Sequence, residues 1–245
     1  MSSPDLSGRL YVVTGASRGI GWNAAVALGA AGAHVVAIAR TVGALEELDD
    51  AIRAKGGSAT LVPLDLKDVD AIDRLGLSIY ERWGKLDGLL GNAGQLGLIT
   101  PLGHLDPKDW DNVFTVNVTA NWRLIRSLDP LLQRSDAGRA LFLTSSVAES
   151  CRPFWGAYSA SKAALEALVR TYAAEVATTR VRANLLDPGR MRTQMRAKAA
   201  PGEDAATVPH PSAVAPDIVR MLAPDFADNG TRFAFPTGTV TRFLD

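Results

Sequence analysis

Tyr158 and Lys162 are the residues whose types and spacing most directly suggest chemistry. Side chains four residues apart in a helix lie on one face, one turn from each other. A phenol has an ordinary pKa of about 10; a nearby ammonium group or an oxidised nicotinamide lowers it by favouring the phenolate. The pair predicts that Tyr158 gives or takes the proton while hydride passes between nicotinamide and substrate carbon, which interconverts carbonyl and alcohol. The spacing also fits an ordinary helix with a surface lysine and a partly buried tyrosine.

A glycine turn over 14–21 would hold the coenzyme, since it follows an apolar run and opens a segment rich in alanine and leucine. A helix N-terminus carries unpaired N–H groups and roughly half a positive charge, which attract phosphate. The spacing of Gly15, Gly19 and Gly21 is neither G-x-G-x-x-G nor a P-loop. We expect a dinucleotide across the carboxyl ends of the strands. A glycine turn without a ligand is the alternative.

Arg18 and Arg40 indicate which nicotinamide coenzyme is used. A carboxylate at the end of the second strand would bind the adenine-ribose 2′-hydroxyl and repel a 2′-phosphate. This chain has Ala39-Arg40 there, and Arg18 lies in the glycine turn. Guanidinium groups form bidentate, charge-assisted bonds with phosphate. The sequence therefore predicts NADP(H) rather than NAD(H), although each arginine taken alone also fits a solvated surface charge.

Length and composition predict one domain over 1–245. The 245 residues are 47% hydrophobic and 21% charged, which is enough to bury a full core. The formal net charge is zero, so nothing favours nucleic acid or an anionic membrane as a partner. One cysteine, no apolar secretion segment and no membrane-length apolar run predict a cytoplasmic protein. The three histidines lack metal-ligand spacing, so no metal site is expected.

Strand and helix patterns alternate over almost the whole chain. Strands are predicted over 10–14, 34–39, 59–64, 86–90, 140–144, 181–186 and 232–235. Helices are predicted over 20–31, 43–55, 68–83, 107–132 with a kink near Pro130, and 155–178. This alternation predicts an α/β fold, a doubly wound, Rossmann-like parallel sheet of about seven strands with helices on both faces. The irregular stretch 190–216 is expected to be a lid or substrate loop.

Taken together, the motifs resemble those of the single-domain short-chain dehydrogenases/reductases over residues 6–193. They occur in the order and spacing of that family: the glycine octet, Asp65, Asn92-Ala93-Gly94, Asn117, Ser145, Tyr158/Lys162, Pro188-Gly189 and Thr193. Gly91 stands where the family commonly has another asparagine, and the C-terminal tail is shorter than usual.

The resemblance implies a role for each matching residue. Asn117 would hold a water that relays protons to Lys162, Lys162 would also bind the nicotinamide ribose, and Ser145 would bind the substrate oxygen. Ser146 is the alternative to Ser145. The implied catalytic set is Asn117, Ser145, Tyr158 and Lys162. Asp65 and Leu66 would meet the adenine, and Thr193 with the Pro188-Gly189 turn would orient the carboxamide. The coenzyme set is Gly15, Ser17, Arg18, Gly19, Ile20, Gly21, Arg40, Asp65, Leu66, Asn92, Ala93, Gly94, Tyr158, Lys162, Pro188, Gly189 and Thr193.

The leading hypothesis is an NADP(H)-dependent oxidoreductase that interconverts a small-molecule carbonyl and a secondary alcohol. The alternatives are an epimerase or dehydratase on the same fold, and a catalytically silent NADPH-binding sensor. The resemblance also implies a homodimer or homotetramer. The sequence does not identify the substrate.

Overall fold

The computed structural model describes residues 4–244, which fold around one eight-stranded sheet. The strands are β1 (Leu10–Thr14), β2 (His34–Ala39), β3 (Ser58–Pro63), β4 (Gly88–Gly91), β5 (Arg139–Leu143), β6 (Arg182–Asp187), β7 (Thr231–Ala234) and β8 (Thr239–Arg242). Their order across the sheet is β3-β2-β1-β4-β5-β6-β7-β8. All neighbouring pairs are parallel except β7 and β8. The order reverses between β1 and β4, where a doubly wound sheet opens its ligand crevice.

Helices cover both faces of the sheet. They are α1 (Gly19–Ala30), α2 (Val42–Arg53), α3 (Val69–Trp83), α4 (Pro107–Phe114), α5 (Ala120–Leu132), α6 (Val147–Ser150), α7 (Gly156–Glu175), α8 (Gln194–Ala199) and α9 (Ala215–Leu222). One core lies between the sheet and α1, α2 and α9. A second core lies between the opposite face and α3, α5 and α7. Successive residues Val12 and Val13 point into different cores, which is why the strands read as continuous apolar runs.

The predicted fold class is confirmed, and local signals place several element ends. On α2, the buried residues Leu45, Leu48 and Ile52 follow the predicted helical spacing. Asp68 accepts a hydrogen bond from the Ala71 N–H at 2.9 Å and caps α3, as the sequence predicted. Gly84, with φ of 73°, ends the same helix in the left-handed conformation.

Three features differ from the predicted elements. The sheet has an eighth strand, β8, where about seven were expected; all its residues are exposed, so it shows no buried pattern. The region 190–216 contains α8, two short 3₁₀ turns and the start of α9. The predicted helix over 107–132 changes to π-helical bonding at Thr115–Thr119, whereas Pro130, where a kink was expected, lies within α5. No helix of residues 4–244 is both long and apolar enough to cross a membrane.

Candidate active site

A cavity of about 1380 Å³ opens at the carboxyl ends of β1 to β6. It is the place where a doubly wound sheet binds ligands. Nearly all the predicted site residues line it: Gly15, Ser17, Arg18, Gly19, Ile20, Arg40, Asp65, Leu66, Asn92, Ala93, Gly94, Ser145, Tyr158, Lys162, Pro188, Gly189 and Thr193. Two predicted residues, Gly21 and Asn117, lie behind the lining. The structure therefore brings the glycine turn and the Tyr158/Lys162 pair to one cavity.

The glycine turn is packed against the end of β4. The Asn92 amide donates to the carbonyl oxygens of Thr14 and Gly15, at 2.7 and 3.2 Å. A Cβ on Gly15 would lie 2.8 Å from Asn92 Nδ2, and Gly15 has a φ of +65°. A Cβ on Gly21 would lie 2.4 Å from both Asn92 Nδ2 and the Gly15 carbonyl oxygen. Both positions therefore require glycine, and the turn leaves its backbone open to a phosphate at the N-terminus of α1.

Arg18 and Arg40 form the basic end of the cavity. Both side chains are exposed, and neither forms an ion pair with any residue of 4–244. Asp65, after β3, also lines the cavity and accepts a hydrogen bond from the Lys67 N–H at 3.0 Å. Two guanidinium groups without an ion-pair partner among residues 4–244 suit a phosphate monoester.

Tyr158 and Lys162 lie one turn apart on α7, and both are buried. Lys162 Nζ lies 5.7 Å from the centre of the Tyr158 ring and donates to the Leu143 carbonyl oxygen at 2.7 Å. Burial lowers the pKa of Lys162 to about 8, against the opposing effects of Glu166 and Asp187. The ammonium group is therefore held at the carboxyl end of β5 by a backbone carbonyl.

The pKa of Tyr158 corrects one expectation from the sequence. Burial, and then the charge of Asp187, raise the pKa of Tyr158 to about 12, whereas the sequence predicted that Lys162 and an oxidised nicotinamide would lower it. The Ser145 hydroxyl is the group that lowers this pKa. Loss of hydration disfavours the phenolate more than the surroundings stabilise it. Tyr158 is consequently a protonated phenol at neutral pH in this structure.

The hydroxyl beside Tyr158 belongs to Ser145, which is half-buried. Ser146 is exposed and stands at the N-cap of α6 without a side-chain capping bond. Of the two serines left open by the sequence, Ser145 is the one whose hydroxyl affects the phenol, and its role toward the substrate stays a prediction.

Asn117 lies in the π-helical turn and is fully buried. Its side-chain oxygen accepts from the Gln95 N–H at 2.7 Å, and its amide donates to the Gln95 carbonyl oxygen and the Ser161 hydroxyl, both at 2.9 Å. The side chain thus joins the loop after β4 to α7, one residue before Lys162. The water-holding role implied by the resemblance stays a prediction.

An ion cluster that is buried except for Glu149 adjoins Lys162 along α7. Glu166 follows Lys162 by one turn of α7, accepts from the Thr144 hydroxyl at 2.5 Å and lies 3.7 Å from Arg232 Nε. Arg232 also pairs with Asp187 at 3.3 Å and with Glu149. Burial raises the pKa of Glu166, while Thr144 and Arg232 oppose that shift. Sequence reasoning missed this cluster because its members come from α6, α7, β6 and β7, far apart in the chain.

The loop after β6 forms part of the cavity wall. Gly189 has a φ of +67°, and its N–H donates to Asp187 Oδ1 at 2.9 Å. Thr193 caps α8 by accepting from the Arg196 N–H at 3.1 Å. Its methyl carbon would lie 3.3 Å from a Cβ on Gly19. The loop therefore lies directly against the glycine turn.

Several cavity residues were not predicted as site residues. They include Gln95, Leu98, Ile99, Arg152, Arg192, Arg196 and Lys198. One signal was available: four cations and no acid lie between 190 and 198, and such a charge run predicts an anionic partner. Within residues 4–244, no three His, Cys, Asp or Glu side chains are grouped to hold a metal ion.

Comparison with known proteins agrees with this geometry. The sequence model of the short chain dehydrogenase family matches residues 9–204. The "Uncharacterized oxidoreductase YciK" of Escherichia coli K12 is 36% identical over 223 residues, which cover 90% of this chain and 88% of that protein. The "Fatty acyl-CoA reductase" of Acinetobacter baylyi is 36% identical over 173 residues, 70% of this chain and 59% of that protein.

Solved structures show the same architecture. A putative short chain dehydrogenase from Shigella flexneri, complexed with NADP, superposes with a TM-score of 0.92 at 35% identity, covering 96% of this chain and all of that one. One from Escherichia coli CFT073, complexed with NADPH, also gives 0.92, at 36% identity and with 96% and 99% of the two chains covered. The chain described here belongs to the short-chain dehydrogenase/reductase family of oxidoreductases.

Proposed function

We propose that this protein is an NADP(H)-dependent oxidoreductase that interconverts a carbonyl and a secondary alcohol. The observation that carries the proposal is the shared cavity: Ser145, Tyr158 and Lys162 line the same space as the glycine turn. Ser145 can donate a hydrogen bond to the substrate oxygen, and Tyr158, with Lys162 nearby, can donate a proton to it. The glycine turn offers a phosphate site. A small molecule that enters the cavity would meet all of these groups.

The residues at the basic end fit NADP(H). The turn around Gly15 and Gly21 has no space for side chains, and Arg18 and Arg40 have no ion-pair partner in the described chain. These groups would hold the diphosphate and the 2′-phosphate, and the bound coenzyme would supply or accept hydride. Two solved relatives, complexed with NADP and NADPH, support this choice over NAD(H).

The protonated state of Tyr158 fits the reducing direction. A phenol with a pKa of about 12 is protonated at neutral pH, so it can donate to a carbonyl oxygen that gains negative charge. Ser145 would donate a second hydrogen bond to the same oxygen. Lys162 would bind the ribose hydroxyls of the nicotinamide half and hold positive charge beneath the phenol. Alcohol oxidation requires the phenolate and should therefore accelerate as the pH rises.

The first experiment compares Tyr158→Phe with the wild type. NADPH consumption is followed with a panel of aldehydes and ketones, and NADPH affinity is measured by fluorescence. We expect turnover to fall by about two to four orders of magnitude, the range of general acid catalysis, with NADPH affinity unchanged. Tyr80→Phe is the matched control, because Tyr80 is exposed on α3, outside the cavity.

Retained turnover in Tyr158→Phe would show that this phenol is not the proton donor. Binding of NADPH without any carbonyl turnover in the wild type would favour the silent sensor. Conversion of an alcohol substrate with no net change in NADPH would favour the epimerase or dehydratase.

A further inference from the structure

The lining of the cavity carries an excess of cations, although the whole chain has a formal net charge of zero. Beyond Arg18, Arg40 and Lys162, the cations that line the cavity are Arg152, Arg190, Arg192, Arg196 and Lys198. Asp65, which follows β3, is the one carboxylate among the described lining residues. Local charge of one sign in a cavity with low-dielectric walls attracts ligands of the other sign.

Glu203 neutralises only part of this charge. Its carboxylate pairs with Arg190 at 3.0 Å and with Arg196 at 2.5 Å, so two guanidinium groups share one negative charge. Arg192 makes long hydrogen bonds, 3.3 and 3.4 Å, to the Val208 carbonyl oxygen. These three cations are therefore engaged in holding the loop between β6 and α9.

Arg152 and Lys198 are free of such bonds. Neither side chain forms an ion pair or a hydrogen bond with another residue of 4–244, and both are exposed. Arg152 lies in the loop between α6 and α7, and Lys198 lies on α8, so the two approach the cavity from different elements. Two unpaired cations that line one cavity are available to a ligand.

An apolar rim of the cavity is joined to the loop that carries Arg152. Leu98 and Ile99 line the cavity, yet 58% and 38% of their surfaces remain exposed. The Thr100 N–H donates to the Phe154 carbonyl oxygen at 3.0 Å, which joins this rim to the Arg152 loop. Met195 on α8 adds a flexible apolar side chain to the wall. Exposed apolar groups that continue into a pocket suit the hydrocarbon part of a ligand.

We propose that the substrate is an amphiphilic carbonyl compound, with a carboxylate or phosphate held by Arg152 and Lys198 and an apolar chain lying on Leu98 and Ile99. The assignment of the carbonyl end rests on the proposed function. The anion site and the apolar rim rest only on the cavity, so they are testable without turnover.

The test measures binding to the NADPH-loaded enzyme, in which an alcohol cannot be oxidised. The ligands are secondary alcohols that carry a terminal carboxylate on chains of increasing length, each paired with its methyl ester. We expect the carboxylate to bind about tenfold tighter than the ester, because a hydrogen bond to a charged group is lost in the ester. Affinity should also rise with chain length, by up to about fourfold for each methylene.

Arg152→Gln combined with Lys198→Gln should abolish the preference for the carboxylate and leave NADPH affinity unchanged. The matched controls are Arg180→Gln and Lys55→Gln, exposed cations outside the cavity lining, which should keep the preference. Equal binding of acid and ester by the wild type would overturn the proposal. A weakened NADPH affinity in the double variant would overturn it too, since the cations would then serve the coenzyme.

A different result would contradict the proposed function. A wild type that binds the carboxylates through Arg152 and Lys198, but reduces none of the corresponding ketones with NADPH, supports the anion site and contradicts the oxidoreductase.

Discussion

The Lys162 ammonium group is buried, and the residues around it determine its pKa. Burial is the largest influence and lowers the pKa of Lys162 to about 8. Glu166, one turn further along α7, and Asp187 act in the opposite direction. Arg232 neutralises these carboxylates in turn. The buried cluster therefore sets how much negative charge Lys162 experiences.

Replacing Glu166 with Gln should move the alkaline limit of activity to lower pH. The ammonium form is present below its pKa and is lost as the pH rises through about 8. Removing a carboxylate that raises the pKa of Lys162 makes that loss begin earlier. The measurement is the pH profile of kcat/KM for NADPH-dependent reduction. Glu175→Gln, at the exposed end of the same helix, should keep the wild-type profile, and an unmoved limit in Glu166→Gln would contradict the coupling.

At the scale of elements, side chains of β5 and α5 fill the space beside Gly91 at the end of β4, so Gly91 has no room for a side chain. A Cβ on Gly91 would lie 2.3 Å from Phe142 Cδ1 and 2.8 Å from Asn121 Oδ1. The asparagine common in the family would therefore clash here. The ring of Phe142 and the amide of Asn121 occupy the space beside the strand instead.

Gly91→Ala should lower the free energy of unfolding by about 1–3 kcal/mol, the usual cost of overpacking a core. Chemical denaturation followed by circular dichroism measures it. Phe142→Val, which removes the clashing ring atoms, should cost stability alone but partly rescue Gly91→Ala. The double variant should therefore lose less unfolding free energy than the sum of the losses in the two single variants. If the two losses of unfolding free energy are additive, the Phe142 ring is not the cause of the strain in Gly91→Ala.

The sequence predicted those elements whose patterns are local. Strands β1 and β2 match their predicted ends because β-branched runs buried on both faces leave no ambiguity. The π-helical turn around Asn117 was not predictable, because its side-chain bonds go to Gln95 and Ser161 from other parts of the chain. Strand β8 was missed because an exposed edge strand needs no apolar alternation. For the candidate site, motifs identified the polar groups, while tertiary burial determined the pKa of Tyr158.

At the scale of the molecule, positive and negative side chains are unevenly distributed, although their formal charges sum to zero. The described lining of the cavity contains many cations and a single carboxylate, Asp65, so the other acidic residues lie outside it. Such a distribution gives local attraction for anions without a basic surface overall. A cytoplasmic location and a homodimer or homotetramer stay predictions from the sequence.

Coenzyme binding should be visible as stabilisation of the whole fold. A ligand at a hundred times its Kd stabilises the native state by about 2.7 kcal/mol, which corresponds to a rise in Tm of about 5–10 °C for a chain of this size. NADPH should therefore raise the Tm more than NADH at equal concentration, because only NADPH presents a 2′-phosphate to Arg18 and Arg40. Differential scanning fluorimetry provides the comparison.

Substituting both Arg18 and Arg40 with Ser should remove most of the difference between the coenzymes and leave the shift with NADH nearly unchanged. Each lost charge-assisted hydrogen bond weakens NADPH binding by about 1.5–3 kcal/mol. Arg180→Ser, which removes an exposed cation outside the cavity lining, should retain the wild-type difference. If NADH stabilises the wild type as much as NADPH does, the two guanidinium groups do not select the phosphate, and the assignment of NADP(H) fails.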